Sequence, residues 1–453
     1  MRIIVIGTGK IGAAILERLA ADDHDLVAVD RNEKKLQVLQ NNMDVLCICG
    51  NGILSEVLTQ AGVQTADLVI AVTADDEKNL LCCLIARKLG AKRTIARVRN
   101  PEYYRQLSLF GEELGLSLAI NPEEAAAQEI FSVLRFPGVT SVEDFAHGRL
   151  ELAELKLADE SILTSVPLAE LGKSHDVRAL VCAVRRGRET IIPDGTFQLR
   201  KGDVISFLAE PLAADHFLKL IGIRERMPKN VMLVGGGRLT VYLLELLQGV
   251  QMRPVVIEEN PERAQELSDA FAGTLVIQGD GTEKRLLLEE GIDKMDAFAA
   301  VTGTDEVNSL LAMYATSRGV SKVVTKISRI EPDELLITED IGSRIFPKRL
   351  VADRVLSYVR ALDTAEGSGS IRTVYRIVDG TVEALEFIAP MQNSALLNIP
   401  FKDLRIRRNI LIGAILRQGR VIIPGGMDRI LPGDHVIVVA LASENLSSLE
   451  GIL

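Results

Sequence analysis

Tryptophan is absent from the 453-residue sequence, and aromatic residues together make up only 4 % of it. So few rings disfavour the base-stacking surfaces that bind single-stranded nucleic acid. The net charge of −10 disfavours a general nucleic-acid binder as well, because such a protein needs a basic face. No run approaches the ~18 apolar residues of a membrane span, and no signal peptide precedes the first apolar strand. We therefore expect a soluble chain that has no nucleic-acid partner.

Cysteine and histidine are also scarce, with five residues of each type. The cysteines form no CxxC pair, and their odd number fits a reducing compartment. Cys47 and Cys49 fall in a predicted strand, and Cys82 and Cys83 in an apolar helix, so we expect small core residues and no metal site. No histidine recurs in the repeat described next or belongs to a Ser/His/Asp or Cys/His motif.

The chain instead contains nearly the same sequence twice. IIVIGTGKIG (3–12) returns as VMLVGGGRLT (231–240), and the following acidic residue, Asp30, returns as Glu258. Both correspondences are 228 positions apart (235 − 7 and 258 − 30). Further along, AGVQTADLVIAVTADDEKNLL matches EGIDKMDAFAAVTGTDEVNSLL, and IIPDGTFQLRKGDVISFLA matches VIIPGGMDRILPGDHVIVVA. A unit repeated in order predicts two copies of one two-domain module.

The first 120 residues alternate apolar runs with helical patterns, which favours a parallel sheet with crossover helices. Strands are predicted at 2–6, 25–30, 44–48, 67–72 and 93–98. Helices are predicted near 10–20, 32–41, 52–60 and 76–89. The fold class is therefore α/β, with two Rossmann-like parallel-sheet domains, each followed by a crossover helix and a small α+β lobe.

Gly7-x-Gly9-x-x-Gly12 follows a strand and opens a helix, and Asp30 ends the next strand, as a dinucleotide fingerprint requires. Gly7 allows the tight turn, Gly9 lets a pyrophosphate approach, and Gly12 lets helix and strand pack closely. The helix N-terminus offers free N–H groups to phosphates. Asp30 would accept hydrogen bonds from ribose hydroxyls and repel a 2′-phosphate, which favours NAD over NADP. Arg31 beside it weakens that preference slightly.

The second copy keeps the first two glycines and has Thr240 in the third place. Glu258 provides the acidic residue, and Glu259 follows it. We expect this copy to bind a ligand too, with helix–strand packing that accommodates the threonine.

Other repeated positions complete the predicted pockets. Asn51 and Gly52 match Asp280 and Gly281 in a turn that could reach adenine or ribose, and Thr73 and Ala74 match Thr302 and Gly303 at the sheet edge where such folds bind ligands. The predicted nucleotide-binding residues are Gly7, Thr8, Gly9, Lys10, Ile11, Gly12, Asp30, Arg31, Asn51, Gly52, Thr73, Ala74 and Arg97, with Gly235, Gly236, Gly237, Arg238, Leu239, Glu258, Asp280, Gly281, Thr302 and Lys326.

The cations among them occupy repeated positions, Lys10 with Arg238 in the phosphate loop and Arg97 with Lys326 at the fifth strand. They could neutralise phosphates, while a surface salt bridge is nearly as good an interpretation of Arg97. Asp75, Asp76 and Glu77 are expected to cap the helix that follows Thr73 rather than bind a metal.

A helix with an apolar face follows each sheet, at NPEEAAAQEIFSVLRFPG (121–138) and KRLVADRVLSYVRAL (348–362). Asn121 is predicted to cap the first of them, and Pro137-Gly138 to end it. Each apolar face could pack on its own module or pair with another helix across a dimer. Short strands and turn dipeptides such as Lys201-Gly202-Asp203 then predict β-rich lobes, the second after a flexible joint at 366–370.

Reaction chemistry is missing from this pattern. A dehydrogenase needs an acid, base or nucleophile near the nicotinamide, and the sequence contains no such constellation. Nucleotide pockets without reaction groups favour a sensor over an enzyme. An NAD-dependent oxidoreductase working across the two sheets, and a scaffold with degenerate pockets, stay open as alternatives.

The order GTGKIG, Asp30, GNG, VTADDEKN, ARVRNPEYY, a helix, and a lobe ending in IIPDGTFQLRKGDVI resembles an RCK (regulator of potassium conductance) module. Two tandem modules without a membrane domain resemble the TrkA-type regulatory subunits of bacterial Trk potassium-uptake systems. The resemblance implies N-lobes at 1–120 and 229–346, crossover helices at 121–138 and 347–366, and C-lobes at 139–222 and 367–453.

The resemblance also implies a function. It implies N-lobes that bind NAD(H) or ATP/ADP through Gly7, Gly9, Gly12 and Asp30, with Gly235, Gly237 and Glu258 in the second copy. It further implies a homo-tetramer forming an eight-module ring on the cytoplasmic face of the inner membrane. That ring would gate a TrkH-like potassium-transporting membrane subunit.

Overall fold

The computed structural model describes the chain in two compact units. It describes residues 1–453 apart from 21, 23, 112, 136–138, 146–148, 158–160, 165, 171–178, 188, 222–227, 251, 329–340, 366–370, 379, 392–393 and 445. The first unit joins Met1–Phe131 to Lys229–Leu356, and the second joins Ser132–Pro228 to Ser357–Leu453. The two N-lobes therefore share one unit and the two C-lobes share the other. The predicted helix stop at Pro137-Gly138 and the joint at 366–370 lie outside the described residues.

The first N-lobe is built on a six-stranded parallel sheet. Its strands are β1 (Arg2–Ile6), β2 (Asp25–Asp30), β3 (Leu46–Cys49), β4 (Leu68–Ala71), β5 (Thr94–Arg97) and β6 (Leu118–Ile120). They lie in the order β3-β2-β1-β4-β5-β6. All four residues of β4 are buried, as expected when helices cover both faces of a parallel sheet.

Six helices accompany this sheet: α1 (Lys10–Leu19), α2 (Glu33–Asn42), α3 (Ser55–Gln60), α4 (Asp76–Leu89), α5 (Pro101–Phe110) and α6 (Pro122–Arg135). Helix α5 and the three-residue strand β6 were not predicted. Proline at the first position and the Asn100 side chain, which accepts the Glu102 N–H at 2.8 Å, start α5. Asn121 caps α6 as predicted, because its Oδ1 accepts the N–H groups of Glu123 and Glu124.

The first C-lobe is built on a five-stranded antiparallel sheet, and a helix follows its last strand. Its elements are β7 (Val139–Phe145), β8 (Leu150–Lys156), β9 (Ala179–Arg186), β10 (Glu189–Ile191), β11 (Val204–Ala209) and α7 (Pro211–Leu220). The strand order is β10-β9-β11-β8-β7. Phe217 of α7 packs on Phe207 of β11 with ring centroids 4.7 Å apart, which seats the helix on the sheet.

The second N-lobe repeats the first. Its strands are β12 (Asn230–Val234), β13 (Arg253–Glu258), β14 (Leu275–Gln278), β15 (Ala297–Ala300), β16 (Lys322–Lys326) and β17 (Ser343–Ile345), in the order β14-β13-β12-β15-β16-β17. Its helices are α8 (Arg238–Gln248), α9 (Pro261–Ala270), α10 (Lys284–Glu289), α11 (Asp305–Ser317) and α12 (Pro347–Ala365). Both α6 and α12 bury their apolar faces within the chain, through residues such as Ile130 and Val355.

The second C-lobe repeats the antiparallel sheet. Its strands are β18 (Ile371–Ile377), β19 (Val382–Ile388), β20 (Ile410–Arg417), β21 (Arg420–Ile422) and β22 (His435–Leu441), in the order β18-β19-β22-β20-β21. The two C-lobes share an apolar core that includes Leu152 and Leu208 from the first and Val382 and Ile437 from the second. Gly413 fits this contact, because a Cβ there would come within 2.5 Å of Leu208 Cδ1. The predicted fold class is confirmed in both copies.

Each C-lobe contains one buried, forked ion pair at the same place. Arg186 donates to both carboxylate oxygens of Asp203 at 2.9 and 2.8 Å, and Arg417 does the same to Asp434 at 2.9 and 2.7 Å. The aspartates sit in the Lys-Gly-Asp and Pro-Gly-Asp turns, and their side chains are 1 % and 3 % exposed. The pair therefore ties this turn to the neighbouring strand, and such a bidentate geometry is strong when desolvated.

The cysteines follow the prediction only in part. Cys82, Cys83 and Cys182 are buried, but Cys47 is half-buried and Cys49 is exposed. The expectation that Cys47 and Cys49 are core residues is wrong for Cys49, because β3 is the edge strand of its sheet. Within the described ranges, no helix has both the length and the apolar character needed to cross a bilayer.

Replacing Asp203 with asparagine should lower the free energy of unfolding by about 1–3 kcal/mol at pH 7, because Arg186 loses a buried partner. Burial would raise the pKa of Asp203, but hydrogen bonds from Arg186 and the Arg200 N–H outweigh it and hold this pKa below its usual value. The carboxylate therefore stabilises the fold above its unfolded-state pKa of about 4, and this contribution is lost as the pH falls through the lower folded-state pKa.

Urea denaturation of both proteins at pH 7 and pH 3 checks this expectation, and the gap between their midpoints should narrow at pH 3. Arg285→Gln removes the exposed Arg285–Glu289 pair and serves as the control with little effect. A gap that stays constant between the two pH values would contradict a role for the Asp203 charge.

Candidate nucleotide site

The turn between β1 and α1 is shaped by its glycines. Gly7 has φ +96°, and a Cβ there would lie 2.9 Å from the Thr73 backbone nitrogen. A Cβ on Gly12 would lie 1.9 Å from the Gly7 carbonyl oxygen, so no side chain fits between α1 and this turn. Gly9, in contrast, has no heavy atom within 4 Å of its Cβ direction. The backbone is therefore open on the side where a phosphate would approach the helix N-terminus.

Asp30 fastens this turn to the end of β2. Its Oδ2 accepts the Thr8 N–H at 2.7 Å and the Thr8 hydroxyl at 2.9 Å, and its Oδ1 accepts the Asn32 N–H at 2.9 Å. Burial raises the pKa of Asp30, but the hydrogen bonds from Asn32 and Thr8 outweigh it and leave the pKa below its usual value. Asp30 is therefore a charged acceptor at neutral pH.

A buried asparagine that was not among the predicted site residues joins the ends of β4 and β5. Asn79 is 0 % exposed, and its Oδ1 accepts the Thr73 N–H at 2.8 Å and the Thr73 hydroxyl at 2.7 Å. Its Nδ2 donates to the Arg97 carbonyl at 2.9 Å. Asn308 makes the same bonds to Thr302 and Lys326 in the second copy. The repeat of Asn79 as Asn308 was the sequence signal for this role.

Arg97 is a buried residue of the site, which contradicts its interpretation as part of a surface salt bridge. It is 8 % exposed, and its Nη2 donates to the Thr73 carbonyl. Burial, reinforced by nearby Arg99, lowers the pKa of Arg97 to about 10, so it keeps its charge at neutral pH. Its Nε is buried without a hydrogen-bond partner. A desolvated cation with donor capacity to spare would favour an anionic ligand.

Two acidic residues after Thr73 make different hydrogen bonds. Asp75 caps α4 as predicted, since its Oδ1 accepts the Lys78 N–H at 3.0 Å. Asp76 points elsewhere, and its Oδ2 accepts the N–H groups of Arg99 and Asn100, both at 2.9 Å. The expectation that Asp76 caps the helix is therefore wrong; it holds the segment after β5.

The first N-lobe's site residues surround a cavity of about 810 Å³. Its lining includes the predicted residues Gly7, Gly9, Lys10, Ile11, Asp30, Arg31, Asn51, Gly52, Thr73, Ala74 and Arg97. Thr8 and Gly12 lie behind this lining, where they hold the turn. Nine basic and three acidic side chains line the cavity among the described residues, a balance that attracts phosphates.

The second N-lobe also contributes to this cavity. Gly237, Arg238, Leu239 and Lys326 line it together with the first-lobe residues. Burial lowers the pKa of Lys326, whose Nζ donates to the Val301 carbonyl at 3.1 Å. The sequence predicted that Arg238 and Lys326 belong to a second, separate pocket. The structure brings both to the first cavity, because the two N-lobes pack together in one unit, and Arg238 also lines a second groove with Gly237.

The glycine loop of the second copy is held by a longer acid. Glu258 Oε2 accepts the Gly236 N–H and its Oε1 accepts the Asn260 N–H at 2.9 Å. A Cβ on residue 236 would lie 2.8 Å from Glu258 Oε2, so glycine there accommodates the longer side chain. Thr240 is fully buried, and its hydroxyl donates to the Gly235 carbonyl. The equivalent oxygen in the first copy is that of Gly7, which would clash with a Cβ on Gly12.

The remaining second-copy residues are dispersed. Gly236 and Glu258 line a different groove of about 910 Å³ together with Arg105 and Arg263. Asp280, Gly281 and Thr302 line neither of these two spaces. The Asp280 carboxylate is occupied by the N–H and hydroxyl of Thr282, both at 2.8 Å. The groove in front of the second glycine loop therefore has a different lining from the first cavity.

The described lining of the cavity contains one carboxyl suited to proton transfer, Glu123, whose pKa is raised by burial. No histidine belongs to its lining within the described part of the chain. Its one thiol, Cys82, has a pKa raised to about 12 by burial, so it carries no thiolate at neutral pH. The arrangement is suited to holding an anionic ligand.

Replacing Asn79 with alanine should lower the free energy of unfolding by about 1–3 kcal/mol, because the N–H of Thr73 and the carbonyl of Arg97 lose a buried partner. Asn308→Ala tests the equivalent site and should cost a similar amount. Urea denaturation measures both, with Asn42→Ala at the exposed end of α2 as the control. Two variants as stable as the control would contradict this role for the buried amides.

Family models match nearly the whole repeat. The TrkA-N domain matches residues 3–122 and 231–347, and the TrkA-C domain matches residues 152–222 and 385–450. The chain is also similar to solved structures of the GsuK channel, with a TM-score of 0.65 and 17 % identity over 98 % of this chain and 77 % of that one. The separate GsuK RCK domain gives a TM-score of 0.64. These likenesses show the fold.

Curated relatives are similar along their full length. The Trk system potassium uptake protein TrkA of Halomonas elongata is 32 % identical, over 99 % of this chain and 98 % of that protein. The protein of the same name in Haemophilus influenzae is 30 % identical over the same shares. Together with the domain matches, these relatives show that the chain belongs to the TrkA family of Trk system potassium uptake proteins.

Proposed function

We propose that the chain is a regulatory subunit that binds NAD(H) in the first N-lobe and thereby controls a potassium-transporting membrane protein. The observation that carries the proposal is the basic cavity in front of the first glycine loop, which the second N-lobe completes with Arg238 and Lys326. The loop amides and α1 N-terminus would hold the pyrophosphate, and the buried Arg97 would neutralise it.

NAD(H) fits this cavity better than NADP(H). Asp30 stays ionised, so it would accept hydrogen bonds from ribose hydroxyls and repel a 2′-phosphate. A neighbour in fold is described as a GsuK channel bound to NAD, and another as GsuK bound to ADP. These descriptions support an adenine nucleotide as ligand, with ATP or ADP as further candidates for the same cavity.

The second copy is proposed as a weaker site. Gly235 and Gly237 keep the loop, and Glu258 is the ribose acceptor, but Asp280 is already bound to Thr282. Gly237 and Arg238 line both the first cavity and the groove that contains Glu258, so they could contact a ligand in either place.

A ligand that touches both N-lobes can act as a switch. It favours whichever arrangement of the lobes lets Lys10, Arg97 and Arg238 reach its phosphates together, and it shifts the equilibrium by its differential affinity for the two arrangements. We propose a switch without catalysis, since the cavity supplies mainly ionic and backbone contacts, and its buried carboxyl, Glu123, has no histidine or thiolate beside it in the described lining. The lobes' state would pass to the C-lobes through α6 and α12, each of which contains residues of both units.

The family also supports a proposal for the partner and the assembly. The relatives are named as potassium uptake proteins, which supports a TrkH-like integral-membrane partner. We propose a homo-tetramer whose eight modules form a ring, bound to the cytoplasmic face of the inner membrane.

Replacing Gly9 with alanine should weaken NADH binding roughly tenfold or more, which is ~1.4 kcal/mol, without changing the fold. Gly9 has φ −68°, which alanine tolerates, and no atom lies within 4 Å of the added Cβ, so the methyl group would occupy only the phosphate's place. The measurement is isothermal titration of each protein with NADH, NADPH and ADP.

Gly273→Ala is the matched control, because it also adds a methyl group in open space, away from the cavity lining. It should bind NADH like the unmodified protein. Equal affinity of the Gly9 variant and the control, or no NADH binding by folded unmodified protein, would contradict the proposal.

A further inference from the structure

The two connecting helices carry opposite charges at equivalent positions. Aligning Pro122 of α6 with Pro347 of α12 also aligns the points where the two units divide, after Phe131 and after Leu356. In this alignment each of the three acidic residues of α6 meets a basic residue of α12. The equivalent pairs are Glu123 with Lys348, Glu124 with Arg349, and Glu129 with Arg354.

An ion pair joins the two helices within the first unit. Arg354 Nη1 lies 3.9 Å from Glu124 Oε2, and the Glu124 side chain is only 16 % exposed. The alignment makes Arg349 and Glu129 the equivalent residues of the same pair, with the signs exchanged. Such a partly desolvated contact is more sensitive to the sign of its partner than an exposed one.

We propose that this charge inversion selects the pairing of the first module with the second and rejects the pairing of like modules. In a two-fold pair of identical helices, a contact between residues i and j occurs twice, once in each direction. Two α6 helices would then oppose Glu124 with Glu129, and two α12 helices would oppose Arg349 with Arg354. Both arrangements bring like charges together, which is an effective way to reject a wrong partner.

A second contact in the same unit has the same asymmetry. Asn121, the cap of α6, donates from Nδ2 to the Tyr242 hydroxyl on α8 at 2.7 Å, in a buried place. The equivalent residues are Phe346 and Ala14. A pair of first modules would therefore place the buried Asn121 amide opposite alanine, where it would lack an acceptor.

Charge reversal of one helix or of both tests the proposal in the full chain. Glu124→Arg with Glu129→Arg makes α6 basic, and Arg349→Glu with Arg354→Glu makes α12 acidic. The third variant combines all four substitutions and restores opposite charges with reversed polarity. Reversal of the exposed pair Arg285–Glu289 on α10 is the control, because it exchanges charges outside this contact.

We expect each one-helix variant to melt at least roughly 5 °C below the unmodified protein at low salt, with a smaller difference in 1 M NaCl, where charges are screened. The four-substitution variant should recover most of that loss, and the control should melt like the unmodified protein. If the one-helix variants fail to fold, soluble folded four-substitution protein is the supporting result.

Coexpression of the two one-helix variants gives an independent result. Each variant carries two helices of like charge, so a helix of one variant finds an opposite partner only in the other. Native mass spectrometry should show assemblies enriched in equal numbers of both chains above the statistical distribution. One-helix variants as stable as the control, a four-substitution variant no better than its parents, or a statistical chain mixture would overturn the proposal.

Discussion

Both N-lobes depend on one hydrogen bond, in which the acid ending the second strand accepts the N–H of the residue after the first glycine. Asp30 holds Thr8 in this way, and Glu258 holds Gly236. The bond fixes the turn, so that the amides at the start of the following helix face open space. The acid and the loop residue both differ between the two copies. Aspartate faces Thr8 in the first, whereas the longer glutamate of the second needs a glycine opposite it. The loop proposed to hold a phosphate and the acid proposed to accept from a ribose are thus joined directly.

The sequence predicted the parts of this site that local geometry determines. The spacing of Gly7, Gly9 and Gly12 before Asp30 is imposed by a tight turn, an open backbone and a close helix contact, each of which depends on neighbouring elements of one lobe. Strand β6 was not predicted because three residues of strand carry little periodicity. Helix α5 was not predicted either, although Asn100 and Pro101 stand at its start. Asn79 was not predicted as a site residue because a buried amide that joins two strands leaves no periodic pattern. Its recurrence as Asn308 was the one sequence signal for its role.

The position of Arg238 and Lys326 in the first cavity could not be predicted either, since it depends on how two lobes that are far apart in sequence pack together. The repeat suggested two equal pockets, whereas the lobes share a cavity lined on one side by the first copy and on the other by the second. The two copies share one backbone topology, but Gly12 of the first corresponds to Thr240 of the second, and their connecting helices carry opposite charges at equivalent positions. A ligand in the shared cavity touches both lobes, which is the physical requirement for coupling its binding to a change in their arrangement.

We propose that a nucleotide acts on this chain as a signal and is not consumed. The most direct measurement is potassium flux through the membrane partner in proteoliposomes containing this chain, with NADH absorbance recorded in the same sample. Adding NADH should change the potassium flux while the NADH absorbance stays constant. A flux that does not respond to NADH, or a steady loss of NADH absorbance that depends on this chain, would contradict it.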